Sequence, residues 1–244
     1  MLSYKNVGGS INSVESFGLL DGPGIRYVIF LNGCSLRCKY CHNPEMFLRK
    51  ENNTSVDEMV EKIKRFKPYF KNGGGVTFSG GEPLLQIDFL IETCKLLKHE
   101  NIHIALDTAG VGLGDYDEIL SLVDLVIFDI KALDDVNYME MTGNKISESL
   151  KFLECCQKHN KKMWIRQVIV PGINDSESYI DTLASFIKKL KNIEKIELLP
   201  FHTMAFDKYQ KLNLDNPLKD KVNMDKEKCN ELEKILLSKI KNRK

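Results

Sequence analysis

The stretch Arg26-Tyr27-Val28-Ile29-Phe30-Leu31-Asn32-Gly33-Cys34-Ser35-Leu36-Arg37-Cys38-Lys39-Tyr40-Cys41-His42-Asn43-Pro44 joins a β-branched and aromatic run to a loop with three closely spaced cysteines. The run reads as a strand, and Asn32-Gly33 ends it. Three thiols therefore leave the carboxyl end of a strand. Working outward, the same strand pattern recurs at 75–79, 102–107, 125–130, 163–170 and 195–199. Helical periodicity fills the gaps at 55–70, 87–100, 116–123, 147–159 and 176–190, and a last amphipathic helix covers 226–240. At the first of these helices, Ser55 with Glu58 three residues on predicts a capping box, and Val56, Met59, Val60 and Ile63 share one face.

Strict alternation of strand and helix implies a parallel sheet with helical crossovers, which an open doubly wound sheet and a barrel both satisfy. The placement of the polar residues favours the barrel. Gly80-Gly81-Glu82, Asp107-Thr108, Asp129 with Lys131, Arg166 and His202 fall at or near the ends of successive predicted strands. Barrel active sites gather at the carboxyl ends of several strands at once. The expected fold is therefore α/β, a single-domain partial (β/α)6 barrel over 1–244. Its core is expected at about 11–202, with a C-terminal helical extension at about 203–244 and an open side that admits a large substrate.

Composition sets the class. The chain has 244 residues, is 43% hydrophobic and 28% charged, and carries 35 Lys+Arg against 34 Asp+Glu for a net charge of +1. This is globular, with no electrostatic footprint for nucleic acid. The amino-terminal stretch Met1-Leu2-Ser3-Tyr4-Lys5-Asn6-Val7-Gly8 lacks an apolar leader core, and the apolar runs are strand-sized. The expectation is a cytoplasmic protein, not a membrane one.

Seven cysteines without an export signal favour reduced thiols, metal ligation or catalysis over a disulfide framework. Cys94 lies mid-helix and reads as a small buried hydrophobe. Cys155 and Cys156 are adjacent and receive no role, as does Cys229. Cys34, Cys38 and Cys41 are different, because thiolates are the ligands of iron–sulfur clusters. Three of them hold a cubane by three corners and leave one iron open to a ligand. The alternative is a zinc-stabilised binding module of the Cys3His type with His42 as fourth ligand, although that histidine adjoins Cys41 and strains tetrahedral closure. Two glycine-rich runs carry no nucleotide motif. Gly110-Val111-Gly112-Leu113-Gly114 lacks the third glycine in register, and Asn72-Gly73-Gly74-Gly75 lacks a following Gly-Lys-Ser/Thr.

Cys34–Cys41, with an aromatic before the last cysteine, resembles the radical S-adenosylmethionine signature. Asp21-Gly22-Pro23-Gly24-Ile25-Arg26 and Tyr40-Cys41-His42-Asn43-Pro44 narrow the resemblance to the activating enzymes of glycyl-radical enzymes. It runs from about Ile11 to His202 and includes Leu106-Asp107-Thr108, Asp129-Ile130-Lys131, Trp164-Ile165-Arg166 and Leu198-Leu199-Pro200-Phe201-His202. Segment 45–82 holds no cysteine, so the ferredoxin-like insert of several relatives is absent. The chain departs from the family's usual Asp-Thr-Asn-Gly at Asp107-Thr108-Ala109-Gly110, which leaves the asparagine's contact without a counterpart.

The resemblance implies a 4Fe–4S cluster on Cys34, Cys38 and Cys41, with the amino and carboxylate groups of S-adenosylmethionine on the open iron. Gly80, Gly81 and Glu82 would cradle the amino group. Asp107 and Asp129 would hold a monovalent cation beside the carboxylate, where helix capping is the alternative role for either aspartate. Tyr40, His42, Thr108, Ile130, Lys131, Arg166 and His202 would contact the cofactor, and Asp21, Arg26 and Arg166 the substrate. The implied reaction is reductive cleavage of the sulfonium, followed by hydrogen abstraction from a backbone glycine. The implied partners are a glycyl-radical enzyme of the pyruvate formate-lyase type and a flavodoxin or ferredoxin as electron donor, with the activator a monomer. A small-molecule radical enzyme of the deazapurine synthase type is the other reading within this chemistry.

Overall fold

The computed structural model describes residues 7–112 and 114–241. Most of the amino-terminal stretch read for a leader, and Leu113 of the glycine run, lie outside the described residues. The strands are β1 (Gly8–Gly9), β2 (Ile11–Gly18), β3 (Arg26–Leu31), β4 (Thr54–Ser55), β5 (Gly75–Gly80), β6 (His103–Thr108), β7 (Leu125–Asp129), β8 (Lys162–Ile169) and β9 (Ile193–Pro200). The helices are α1 (Val56–Lys64), α2 (Ile87–His99), α3 (Asp117–Leu122), α4 (Asp135–Thr142), α5 (Ser147–Lys158), α6 (Glu177–Ile187), α7 (Phe206–Lys211) and α8 (Lys226–Lys241).

Seven strands form one sheet in the order β2-β3-β5-β6-β7-β8-β9. β3 and β5–β9 run parallel, and β2 pairs antiparallel with β3. The parallel strands follow chain order, so each crossover adds its strand on the same side, as in a barrel. The order ends at β2 and β9 and does not return on itself, which makes the barrel partial. The six predicted strands all form. The edge strand β2 carries mostly exposed, mixed side chains, and so lacked the apolar run that marks its neighbours.

Period-two alternation divides the labour of each strand. Ile29, Phe78, Leu106, Phe128 and Ile165 face outward into the main core, where they pack with helical residues such as Phe89, Phe152 and Leu183. Their sequence neighbours Phe30, Ser79, Asp107, Asp129 and Arg166 face inward and line a cavity. One strand thus supplies both packing and chemistry.

Local signals explain the elements. Ser55 Oγ accepts from the Glu58 amide at 3.3 Å, and a Glu58 carboxylate oxygen accepts from the Ser55 amide at 3.0 Å, so the capping box forms. α1 stops at Lys64, short of the expected 70, and a 3-10 turn at Lys67–Tyr69 holds Pro68; proline cannot continue an α-helix because it lacks the amide hydrogen. α4 was not anticipated. Its apolar residues fall on both faces, Tyr138 and Met141 buried but Val136 and Met139 exposed, so the sequence shows no clear apolar stripe. Its signals are the ends: the Asn137 amide donates to Asp134 at 2.9 Å, and Gly143 closes the helix at φ 72°. Among the described residues, no helix is long and apolar enough to cross a membrane.

Candidate functional site

The carboxyl ends of the parallel strands and the cysteine loop enclose a cavity of about 310 Å³. That lies at the lower end of the range for small-ligand sites. Cys34, Cys38 and Cys41 line it as free thiols. Their loop is fixed at both flanks by backbone bonds. Gly33 and Cys34 amides donate to Met46 and Phe47 carbonyls at 2.8 and 3.2 Å, while Arg37 and Lys39 amides donate to Thr142 and Met141 at the end of α4 at 2.7 and 2.9 Å. Arg37 stacks 4.7 Å over the Phe47 ring and donates to the Cys34 carbonyl at 2.7 Å. The Asn43 amide donates to Cys41 Sγ at 3.4 Å.

Burial pushes the thiols up, Cys34 to about 12 and Cys38 and Cys41 each to about 11. They remain protonated until something positive displaces the protons, as metal binding does. The donor set therefore fits an iron–sulfur group. His42 is not presented as a fourth ligand. Its ring stacks on His202 at 3.8 Å, and its Nε2 lies 3.2 Å from the His202 carbonyl oxygen. Among the described residues, no three His, Cys, Asp or Glu side chains converge on a single-ion point.

The turn after β5 is laced to this loop. Gly81 donates to the Leu31 carbonyl at 2.9 Å and Glu82 to the Gly33 carbonyl at 2.8 Å. A Cβ at Gly81 would sit 2.2 Å from the Gly33 oxygen, and Gly80 has φ +117° with a Cβ position 2.3 Å from the Leu31 nitrogen. Both positions therefore require glycine. Glu82 is buried and its carboxylate is already used. It accepts from Thr108 Oγ1 at 2.5 Å, Leu84 N at 3.1 Å and Ala109 N at 3.0 Å. Burial raises it to about 7, although these donors oppose the rise. The carboxylate thus shapes the loop after β6 as well as facing the cavity. Ala109, at the departure from the family pattern, lines the cavity beside it.

Asp107, Asp129, Lys131, Arg166 and Asp21 form the polar wall. Ser79 Oγ donates to Asp107 at 2.7 Å. Burial and the neighbouring Asp129 charge raise Asp107 to about 6. Lys131 Nζ lies 2.8 Å from Asp129 and 5.7 Å from the Tyr40 ring centre. Burial opposes the ammonium, yet Asp129, Tyr40 and Cys38 together outweigh it and hold Lys131 above its ordinary value. Arg166 pairs with Glu197 at 2.9 Å and Asp21 at 3.3 Å and also donates to the Leu20 carbonyl. Burial opposes this charge too, but Asp107 and Glu197 keep it raised. Neither aspartate caps a helix: the N-caps that follow are Tyr116 and Asp134.

Three expected residues lie elsewhere. Arg26 does not line the cavity. It is buried at the amino ends of β3, β5 and β6, where it donates to Thr77 Oγ1 at 2.9 Å and the Gly73 carbonyl at 3.1 Å and meets His103 Nδ1 at 3.2 Å. Substrate contact by Arg26 is corrected to a place in the barrel floor, because it begins its strand rather than ending it. Ile130 is buried in the main core, and only its backbone is engaged at the site, donating to the Arg166 carbonyl at 2.8 Å. His202 stands behind His42 rather than on the wall, and its Nδ1 is buried without a partner among the described residues. Ser79, Phe30, Val168 and Leu199 also line the wall. Each is the penultimate residue of its strand, one position before the end.

The comparisons bear directly on this geometry. Residues 28–184 match the model of the Radical SAM superfamily. The chain belongs to that superfamily. Within it the chain falls among the pyruvate formate-lyase-activating enzymes. The Clostridium pasteurianum relative of that name is 52% identical over 230 residues, covering 93% of this chain and 97% of the relative. The Staphylococcus epidermidis relative of the same name is 41% identical over 222 residues, covering 87% and 88%. A crystal structure of a domain of pyruvate-formate lyase-activating enzyme from Bacteroides vulgatus is 27% identical with a TM-score of 0.56, covering 68% of this chain and 95% of that one. A radical SAM methyltransferase from Sphaerobacter thermophilus shares the fold, with a TM-score of 0.65 at 17% identity, covering 98% and 77%. Membership in the radical SAM superfamily brings with it a 4Fe–4S cluster and S-adenosylmethionine.

Proposed function

We propose that this chain activates a glycyl-radical enzyme, and that its partner is pyruvate formate-lyase. The observation that carries the reading is the wall of three free, partly buried thiols facing the carboxylates and cations that end the neighbouring strands. Cys34, Cys38 and Cys41 would hold the cluster by three irons. When bound, the cluster and S-adenosylmethionine together supply reductive sulfonium cleavage and, through it, removal of one hydrogen atom from a backbone glycine.

The protein's own part is to bind, orient and shield. The Gly80–Glu82 turn, seated on the cysteine loop, would cradle the cofactor's ammonium. Thr108 and Lys131 stand at the adjacent strand ends, and Tyr40 and His42 flank Cys41 on the same wall. Asp107 and Asp129 form a pair of acids in which burial and, after it, mutual repulsion raise Asp107. A monovalent cation between them would relieve that repulsion and screen the cofactor carboxylate. Arg166 and Asp21 pair in the wall, and the adjoining Leu19 and Leu20 are exposed. An apolar rim next to a charged pair suits a polypeptide loop better than a small polar substrate.

The activator would act on its partner as a monomer. Cys94, Cys156 and Cys229 are buried and lie away from the cavity wall, so an external flavodoxin or ferredoxin would supply the electron. The test is anaerobic incubation with reductant, S-adenosylmethionine and pyruvate formate-lyase. A glycine-centred electron-spin signal on the partner supports the reading. Cofactor cleavage without that signal would move the substrate to a small molecule.

A further inference from the structure

The cluster loop is gripped from outside the matched region 28–184, by the short helix α7 that follows β9. Lys208 Nζ donates to the His42 carbonyl at 2.9 Å, Asn43 Oδ1 at 3.1 Å and Glu45 Oε1 at 2.6 Å. Its neighbour Tyr209, almost wholly buried, donates its hydroxyl to the Cys41 carbonyl at 3.2 Å. Two successive residues therefore hold every residue from Cys41 to Glu45 except Pro44.

An exposed lysine–glutamate pair alone would be worth little. Lys208 is partly exposed, but three acceptors converge on its ammonium, and two of them belong to the residues directly after the third cysteine. Asn43 is the link. Its side-chain oxygen takes a hydrogen bond from Lys208 while its own amide donates to Cys41 Sγ at 3.4 Å. Partners that orient a metal ligand govern how tightly the metal is held, and hydrogen bonds to the sulfurs, together with local charge, set a cluster's potential.

We propose that Lys208 and Tyr209 are positioning residues for Cys41 and that through the Asn43 amide they govern retention and reduction of the cluster. The inference rests on the assignment of the cluster to Cys34, Cys38 and Cys41. Neither residue touches the cofactor in this scheme; both act through the loop.

The experiment uses the full chain reconstituted anaerobically as wild type, Lys208→Met, Lys208→Arg and Tyr209→Phe. Two quantities are read: the rate of iron loss to an iron(II) chelator, and the midpoint potential followed by electron-spin resonance. Lys208→Met is expected to release iron about tenfold faster and to shift the potential to more negative values, because a cation and an oriented amide both favour the reduced cluster. Lys208→Arg keeps the charge and restores most of both properties. Tyr209→Phe removes one hydroxyl without loss of packing and raises the release rate in the same direction, which answers the question even if Lys208→Met does not fold. Wild-type release rates and potentials in both Lys208→Met and Tyr209→Phe overturn the inference while leaving the cluster assignment intact. A wild-type protein that takes up no iron or sulfide overturns both.

Discussion

Glu82 shows how a single side chain can carry two demands. Its carboxylate is buried, which raises it from 4.5 to about 7, yet it accepts hydrogen bonds from Thr108, Leu84 and Ala109. The folded state therefore favours the protonated acid more than the unfolded chain does. The stabilisation is complete below the unfolded value of 4.5 and is lost as pH rises through about 7. Urea unfolding of the protein without cofactors should show a fall on the order of 3 kcal/mol between pH 5 and 8 from this group. Glu82→Gln should flatten that fall. An unchanged pH slope in the variant would assign the dependence to other groups. The role given to Glu82 from the sequence, part of a cradle for the cofactor's amino group, was only partly legible. The Gly-Gly-Glu spacing marks the turn, but two of the three donors that occupy the carboxylate, Thr108 and Ala109, come from the end of β6 and the residue after it, remote in sequence.

At the scale of elements, the site is a set of strand ends tied to one loop. Gly81 donates to the Leu31 carbonyl and approaches Gly33 so closely that a Cβ would stand 2.2 Å from its oxygen. Gly81→Ala must move either the turn or the cysteine loop. We expect a stability loss of roughly 2 kcal/mol or more together with reduced iron content, measured by urea unfolding and iron analysis. Full iron content in a stable Gly81→Ala protein would contradict the packing described. The parallel strands were legible because outward Ile29, Phe78 and Leu106 give them continuous apolar character. β2 and α4 were not, since their side chains are largely exposed and leave no periodic stripe. Yet Met141 and Thr142 of α4 accept two amides of the cysteine loop, so an element without a hydrophobic signature supports the chemistry. The same limit explains Arg26: the Asp21–Arg26 motif reads as one unit, but only Asp21 lines the cavity, while the Arg26 guanidinium is buried against Thr77 and the Gly73 carbonyl.

Across the whole molecule, the sheet separates a packed exterior from a polar interior, and Arg166 joins β8, β9 and the Leu20–Asp21 segment across the open side. A ligand seated in that cavity touches most parallel strands at once, so its binding should stabilise the fold cooperatively. For cluster-loaded protein, S-adenosylmethionine at a hundred times its dissociation constant should add about 2.7 kcal/mol, read as a rise in the unfolding midpoint. No shift at saturating cofactor would place the binding site elsewhere.

The central claim is that three thiolates hold a cluster by three corners and leave the fourth for the sulfonium cofactor. Its most direct measurement is formation of 5′-deoxyadenosine and methionine by anaerobically reconstituted protein, with iron and sulfide counted in the same sample. Wild type should contain about four irons and cleave the cofactor, whereas Cys38→Ala should lose cleavage. Undiminished cleavage by Cys38→Ala would contradict the account.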